Sequence, residues 1–165
     1  MKKLNNITAG LVCLALSAGV IAQGVTDDEV VLGTSTALSG PAALWGVSAS
    51  RAAQIRFDMA NEDGGVHGRQ IRVVLEDHQY QVPIHVKAMN KLMNLDKVFA
   101  TFNVLGTPMN LATAETQFAN NVPMLFPMTT AKSVQEPEHD LKITFGSSYY
   151  NQIRFAVGHF LATGR

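Results

Sequence analysis

Hydroxyls, glycines and aromatics, with few charges, occupy the places in this sequence where chemistry could occur. Five segments stand out: Ser35 to Trp45, Asp77 to Gln81, Asn103 to Pro108, Pro127 to Thr130, and Gly146 to Tyr150. The first four each follow a short apolar run. Loops of this composition present neutral donors, and where such a loop enters a helix the free backbone N–H groups and the positive end of the helix dipole favour an anionic group. The chemistry they suit is the holding of a small carboxylate or zwitterion, with Trp45 and Tyr150 supplying apolar contact. Other roles fit the same residues. Trp45 reads equally as a plug over the sheet, Thr107 before Pro108 as a helix cap, and Thr129 and Thr130 as turn residues. Glu76-Asp77-His78 has the residue types of an acid/base or metal cluster, but neighbours at a strand end point in different directions, so it reads as a solvated loop. His67, His85, His139 and His159 show no ligand spacing, and neither a Gly-x-Ser-x-Gly elbow nor a glycine-rich phosphate fingerprint is present. No catalytic set, metal site or cofactor follows.

These loops need a scaffold, and the apolar periodicity supplies one. Glu29 to Thr34 reads as a strand, followed by a loop bent at Ser39-Gly40-Pro41 and a helix from Trp45 to about Glu62 with Ala49, Ala52, Ala53, Ile55, Met59 and Ala60 facing inward. The same order recurs. Gln70 to Asp77 is a strand, and a helix runs from Pro83 to Asn94. A strand over Val98 to Phe102 precedes a helix from Met109 to Asn120 with Leu111, Ala114 and Phe118 facing in. Met124 to Phe126 is a fourth strand. Ala131 to Leu141 is polar and reads as an exposed excursion, Lys142 to Phe145 as a fifth strand, and Gly146-Ser147-Ser148 as the start of a last helix burying Ile153, Ala156, Val157, Phe160 and Leu161. Alternating strands and helices imply an α/β fold, a mainly parallel sheet with helices on both faces. Ligands of such sheets sit beyond the carboxyl ends of the strands, where the five segments lie.

The chain has 165 residues, 47% apolar and 16% charged, with zero formal net charge. That length suits one domain, and no basic stripe marks a nucleic-acid partner. Residues 1–22 combine Lys2 and Lys3, an apolar run from Ile7 to Ile21, and Val20 and Ala22 just before Gln23. This is the pattern of a cleaved secretory signal peptide, the run being shorter than the roughly 20 residues that span a bilayer. Cys13, the single cysteine, falls inside it, so the processed chain over 23–165 forms no disulfide.

One combination is more specific than its pieces. Leu38-Ser39-Gly40-Pro41 with Trp45-Gly46, the turn Asn61-Glu62-Asp63-Gly64-Gly65-Val66-His67-Gly68, and Leu105-Gly106-Thr107-Pro108 together resemble the first lobe of the type I periplasmic binding proteins of the leucine/isoleucine/valine-binding branch. The resemblance implies the extracytoplasmic solute receptor of an ABC importer. Such a protein is periplasmic, is no enzyme, and passes a small amino acid or organic, including aromatic, carboxylate to a membrane permease. It places the ligand at Leu105, Gly106 and Thr107 after the third strand, Met128, Thr129 and Thr130 after the fourth, with Trp45 and Tyr150 alongside. Leu105 stands where amino-acid-binding relatives carry a serine. Relatives trap the ligand between two lobes, and here the chain is expected to stop before the second. A ligand-sensing regulator domain on the same fold is the alternative, and the leader peptide argues against a cytosolic one.

Overall fold

The computed structural model describes residues 22–164. Apart from Ala22, the expected leader lies outside the described residues, and so does Cys13. The chain forms a five-stranded parallel sheet in the order β2-β1-β3-β4-β5. The strands are β1 (Glu29–Thr36), β2 (Gln70–Asp77), β3 (Ala100–Phe102), β4 (Met124–Leu125) and β5 (Lys142–Ile143). The helices are α1 (Ala43–Glu62), α2 (Val82–Asn94), α3 (Thr107–Ala119), α4 (Lys132–Gln135) and α5 (Tyr149–Thr163). No helix among the described residues is long and apolar enough to cross a membrane.

The faces of β1 decide what covers them, because successive side chains alternate. Val31, Gly33 and Ser35 face α2. Val31 joins Met89, Leu92, Met93, Val98 and Val122 in the core, and the bare backbone of Gly33 lets Leu92 and Val98 close over it. Thr34 and Thr36 face the other way, toward the side that α1 occupies. There Phe57 meets Phe102 edge-on at 5.3 Å and 82°, and the Asn61 side chain both accepts from the Ile71 amide (2.7 Å) and donates to its carbonyl (2.9 Å). The expected architecture, a parallel sheet with helices on both faces, is therefore present.

Several faces differ from the periodicity. On α1, Ile55 and Met59 are 63% and 53% exposed, and Phe57 makes the aromatic contact instead. Ala52, also expected to face inward, is exposed, and the half-buried face is Ala49, Ala53, Phe57 and Ala60. On α3 the expected Leu111 is 47% exposed, and the buried face is Met109, Asn110, Thr113 and Gln117. Its polar members are buried because they are paired. Gln117 Nε2 donates to Thr101 Oγ1 at 2.8 Å and to the Pro123 carbonyl at 3.0 Å, while Asn110 Nδ2 donates to the carbonyls of Val104 and Gly106. The excursion from Ala131 contains α4, whose Val134 is buried. Strand lengths shift too: β1 runs on through Thr36, β3 begins at Ala100, and β5 ends at Ile143.

The largest departure is α5. Its expected buried stripe is not buried: Ile153, Val157, Phe160 and Leu161 are all exposed, and the helix buries no residue. Ser148 caps it by accepting from the Asn151 amide at 3.2 Å, so the helix starts where the sequence indicates, but among the described residues nothing covers its apolar side chains. Phe155→Ser should consequently leave the unfolding free energy in urea within about 0.5 kcal/mol of the unaltered protein, whereas a loss of about 2 kcal/mol or more would put this side chain in a core.

Candidate functional site

A cavity of about 770 Å³ opens at the carboxyl end of the sheet, and the loops after all five strands build its walls. Pro41, Ala42 and Trp45 come from the β1–α1 connection, Tyr80 from the loop after β2, and Leu105, Gly106 and Thr107 from the loop after β3. Met128, Thr129 and Thr130 follow β4, and Phe145, Tyr149 and Gln152 follow β5. Seven of the eight residues singled out in the sequence thus meet around one space. The eighth, Tyr150, is not on the wall. It points to the outside, where Lys132 Nζ lies 5.7 Å from its ring centre, and Tyr149 takes the position at the cavity. A helix start turns successive side chains by about 100°, so only one of two adjacent tyrosines can face a given space.

The wall is held by bonds between loops. Val104 accepts from the Met128 amide at 2.9 Å and Leu105 forms a parallel bridge to Met128, so the segments after β3 and β4 run side by side. The hydroxyls of Thr107 and Thr129 are 2.7 Å apart, and Thr129 Oγ1 also accepts from the Ala131 amide. Thr107 is therefore not a cap by its side chain; the cap of α3 is Gly106, at φ 103° and ψ 135°. That backbone conformation belongs to glycine, and a Cβ there would stand 3.1 Å from the Tyr80 ring. The first bond of α3 runs from the Asn110 amide to the Gly106 carbonyl, which leaves the Thr107 and Met109 amides outside the helix ladder at the cavity end. The Thr130 carbonyl accepts from the Tyr149 amide at 3.0 Å and ties the start of α5 to the same wall.

The segment Asp77-His78, expected to be a solvated loop, is instead the brace behind these loops. Asp77 accepts from the Leu38 amide (2.9 Å), the Ser39 hydroxyl (2.6 Å) and the Gln79 amide (2.9 Å). Partial burial pushes its carboxyl up, but the bond from Ser39, followed by those from the Gln79 and Leu38 amides, outweighs it and holds the group below its ordinary value. His78 is fully buried. Its Nδ1 accepts from the Tyr80 amide at 2.9 Å and its Nε2 lies 3.1 Å from the Leu105 carbonyl. Burial pushes this imidazole down, against the opposing effects of the Leu105 carbonyl and the Asp77 charge. Deeper still, His85 bridges Ser35 (Nδ1, 3.0 Å) and Thr113 (Nε2, 3.0 Å), and Thr113 donates onward to the Met109 carbonyl. Burial first, and then the neighbouring His78, push His85 down to about 4.

Sequence reasoning did not single out Tyr80, Phe145, Tyr149 and Gln152 as wall residues. All lie in or beside the strand-end segments, which was the available signal; their direction was not. The wall has no charged side chain. It offers threonine hydroxyls, a glutamine amide and a helix N-terminus on one hand, and Trp45, Tyr80, Phe145 and Tyr149 on the other. Among the described residues there is no group of three or more His, Cys, Asp or Glu placed to hold a metal ion.

Residues 29–165 match the model of a protein family described as periplasmic binding protein. No curated protein matches the chain. Among solved structures, a substrate-binding periplasmic protein from Ralstonia solanacearum is similar at 25% identity and TM-score 0.77, over 82% of this chain and 38% of that one. A fatty acid ABC transporter substrate-binding protein from Thermomonospora curvata is similar at 27% identity and TM-score 0.79, over 87% of this chain and 36% of that one. A leucine binding protein from Thermotoga maritima MSB8 shares the fold at 20% identity and TM-score 0.70, over 82% of this chain and 38% of that one. The chain spans less than two fifths of the length of each.

Proposed function

Because the chain belongs to the periplasmic binding protein family, we propose that it forms the N-terminal lobe of an extracytoplasmic solute receptor that presents a small amino acid or organic carboxylate to an ABC permease. The observation that carries this reading is the cavity where all five strand-end loops converge. Its hydroxyls and the α3 N-terminus suit a carboxylate, and its four aromatic side chains suit an apolar body. One structural relative is named for fatty acids and another for leucine. Both ligand types join a carboxylate to an apolar group, and that shared chemistry is what this wall fits. In this reading the leader over residues 1–22 exports the protein to the periplasm, the seven wall residues Trp45, Leu105, Gly106, Thr107, Met128, Thr129 and Thr130 lie at the ligand with Tyr149 in the place expected of Tyr150, and neither a cofactor nor a nucleic acid takes part.

Trp45 is the single tryptophan, lines the cavity and is 68% exposed, so its emission reports on occupancy. L-leucine, phenylacetate and octanoate serve as probes, with leucinol, phenylethanol and octanol as controls lacking the carboxylate. At least one acid should shift the emission while its alcohol does not, with a millimolar midpoint for these 165 residues because they supply one wall. Thr130→Ala, followed by Trp45 emission, and Trp45→Ala, followed by calorimetry, should each weaken binding about tenfold, the scale of one hydrogen bond or one aromatic contact. Unchanged affinity in both variants rejects the site. Micromolar binding by these residues alone rejects the half-site, and turnover of a probe would mark an enzyme.

A further inference from the structure

The left-handed backbone at Gln79 (φ 52°) and Tyr80 (φ 59°) is unusual for two successive residues that are not glycine. Such a conformation persists only where surrounding bonds over-determine it. Here two adjacent side chains supply them, Asp77 accepting from the Gln79 amide and His78 from the Tyr80 amide. The His78 ring sits between the loop after β2 and the loop after β3, with Nδ1 facing the Tyr80 N–H and Nε2 facing the Leu105 carbonyl. An amide donor on Nδ1 requires that nitrogen to be unprotonated, and a carbonyl beside Nε2 requires that nitrogen to carry the proton. Only the neutral Nε2–H tautomer satisfies both. The two loops so joined touch again at the cavity surface, where the Tyr80 ring lies against Gly106.

We infer that His78 is a positioning residue for the cavity: through one tautomer it clamps the Tyr80 loop to the Leu105–Gly106 loop and so fixes the shape of the wall that a solute meets. The inference rests on the reading of this cavity as the solute site, but the clamp can be tested apart from it. Each half of the clamp has its own mimic. In His78→Asn the side-chain oxygen can replace Nδ1 and keep the Tyr80 amide, with no donor for Leu105. In His78→Gln the side-chain amide can reach toward the Nε2 position and keep Leu105, with no acceptor for Tyr80.

The experiment combines three readouts on the full chain and both variants. Nitrogen-15 chemical shifts of the His78 ring should report the Nε2–H tautomer; the other tautomer overturns the clamp. Amide exchange at Tyr80 should speed up at least tenfold in His78→Gln and change less than threefold in His78→Asn; equal behaviour of the two overturns it as well. With phenylacetate and octanoate as probes and Trp45 emission as signal, the affinity ratio between them should shift at least fivefold in both variants, because each opens one half of the clamp. A merely structural histidine would lower both affinities together and leave the ratio unmoved, which rejects the positioning role. If neither probe binds the unaltered protein, the reading of the cavity fails while the ring shifts and the Tyr80 amide still decide the clamp.

Discussion

Gly46→Ala is expected to lower the unfolding free energy by roughly 3 kcal/mol or more, measured by urea denaturation. A Cβ built on Gly46 would stand 2.0 Å from the Ala37 carbonyl oxygen and 2.7 Å from its carbon. Both atoms are backbone, and Ala37 is fully buried at the end of β1, so no side chain can rotate out of the way. The first turn of α1 would have to lift off the strand, taking Ala42 and Trp45 with it. Local propensity argues for the opposite sign, since alanine inside a helix is favoured over glycine by about 1 kcal/mol. A neutral or stabilising result would therefore show that α1 does not approach β1 as described.

Acidification should cost the lobe stability of the order of 3 kcal/mol between pH 6.5 and about 4. His85 has its ordinary value of 6.5 in the unfolded chain and about 4 in the fold, because burial among Ser35, Thr113 and His78 disfavours the imidazolium. In that window the unfolded chain binds the proton and the folded one does not. Stability is then complete above pH 6.5, falls as the pH drops, and levels off below about 4 for this group. His78, also shifted downward, adds to the same slope. Unfolding midpoints in urea at intervals across this range test the expectation, with His85→Leu as the control that removes its share of the slope. A flat profile in the unaltered protein would contradict the neutral buried pair.

The architecture was legible because β1, α1, β2 and α2 repeat one apolar rhythm, and a parallel α/β sheet follows from that rhythm. The cavity was legible at the level of loops for the same reason. What escaped was side-chain direction where polar residues are buried. His78, His85, Asn110, Thr113 and Gln117 look like surface residues by type, yet each sits inside with a specific partner, although Asn110 is paired through its Nδ2 alone. Some of these pairings join residues far apart in sequence, His85 to Ser35 and His78 to Leu105 for example, and no local pattern announces them. The reverse error arose on α5, where an apolar stripe suggested burial and the helix touches no core.

The attachment of α5 has a geometric consequence. Its start is fastened to the cavity wall through the Tyr149 amide on the Thr130 carbonyl and through Gln152, which reaches Thr130 and the Ser147 carbonyl. Fifteen residues extend the helix by about 22 Å, so a rotation of about 10° at Ser148 carries its far end through roughly 4 Å. Within the described residues α5 is held at its cavity end alone, and by this geometry a small turn at Tyr149 corresponds to a shift of Phe160 and Leu161 by about the width of a methyl group.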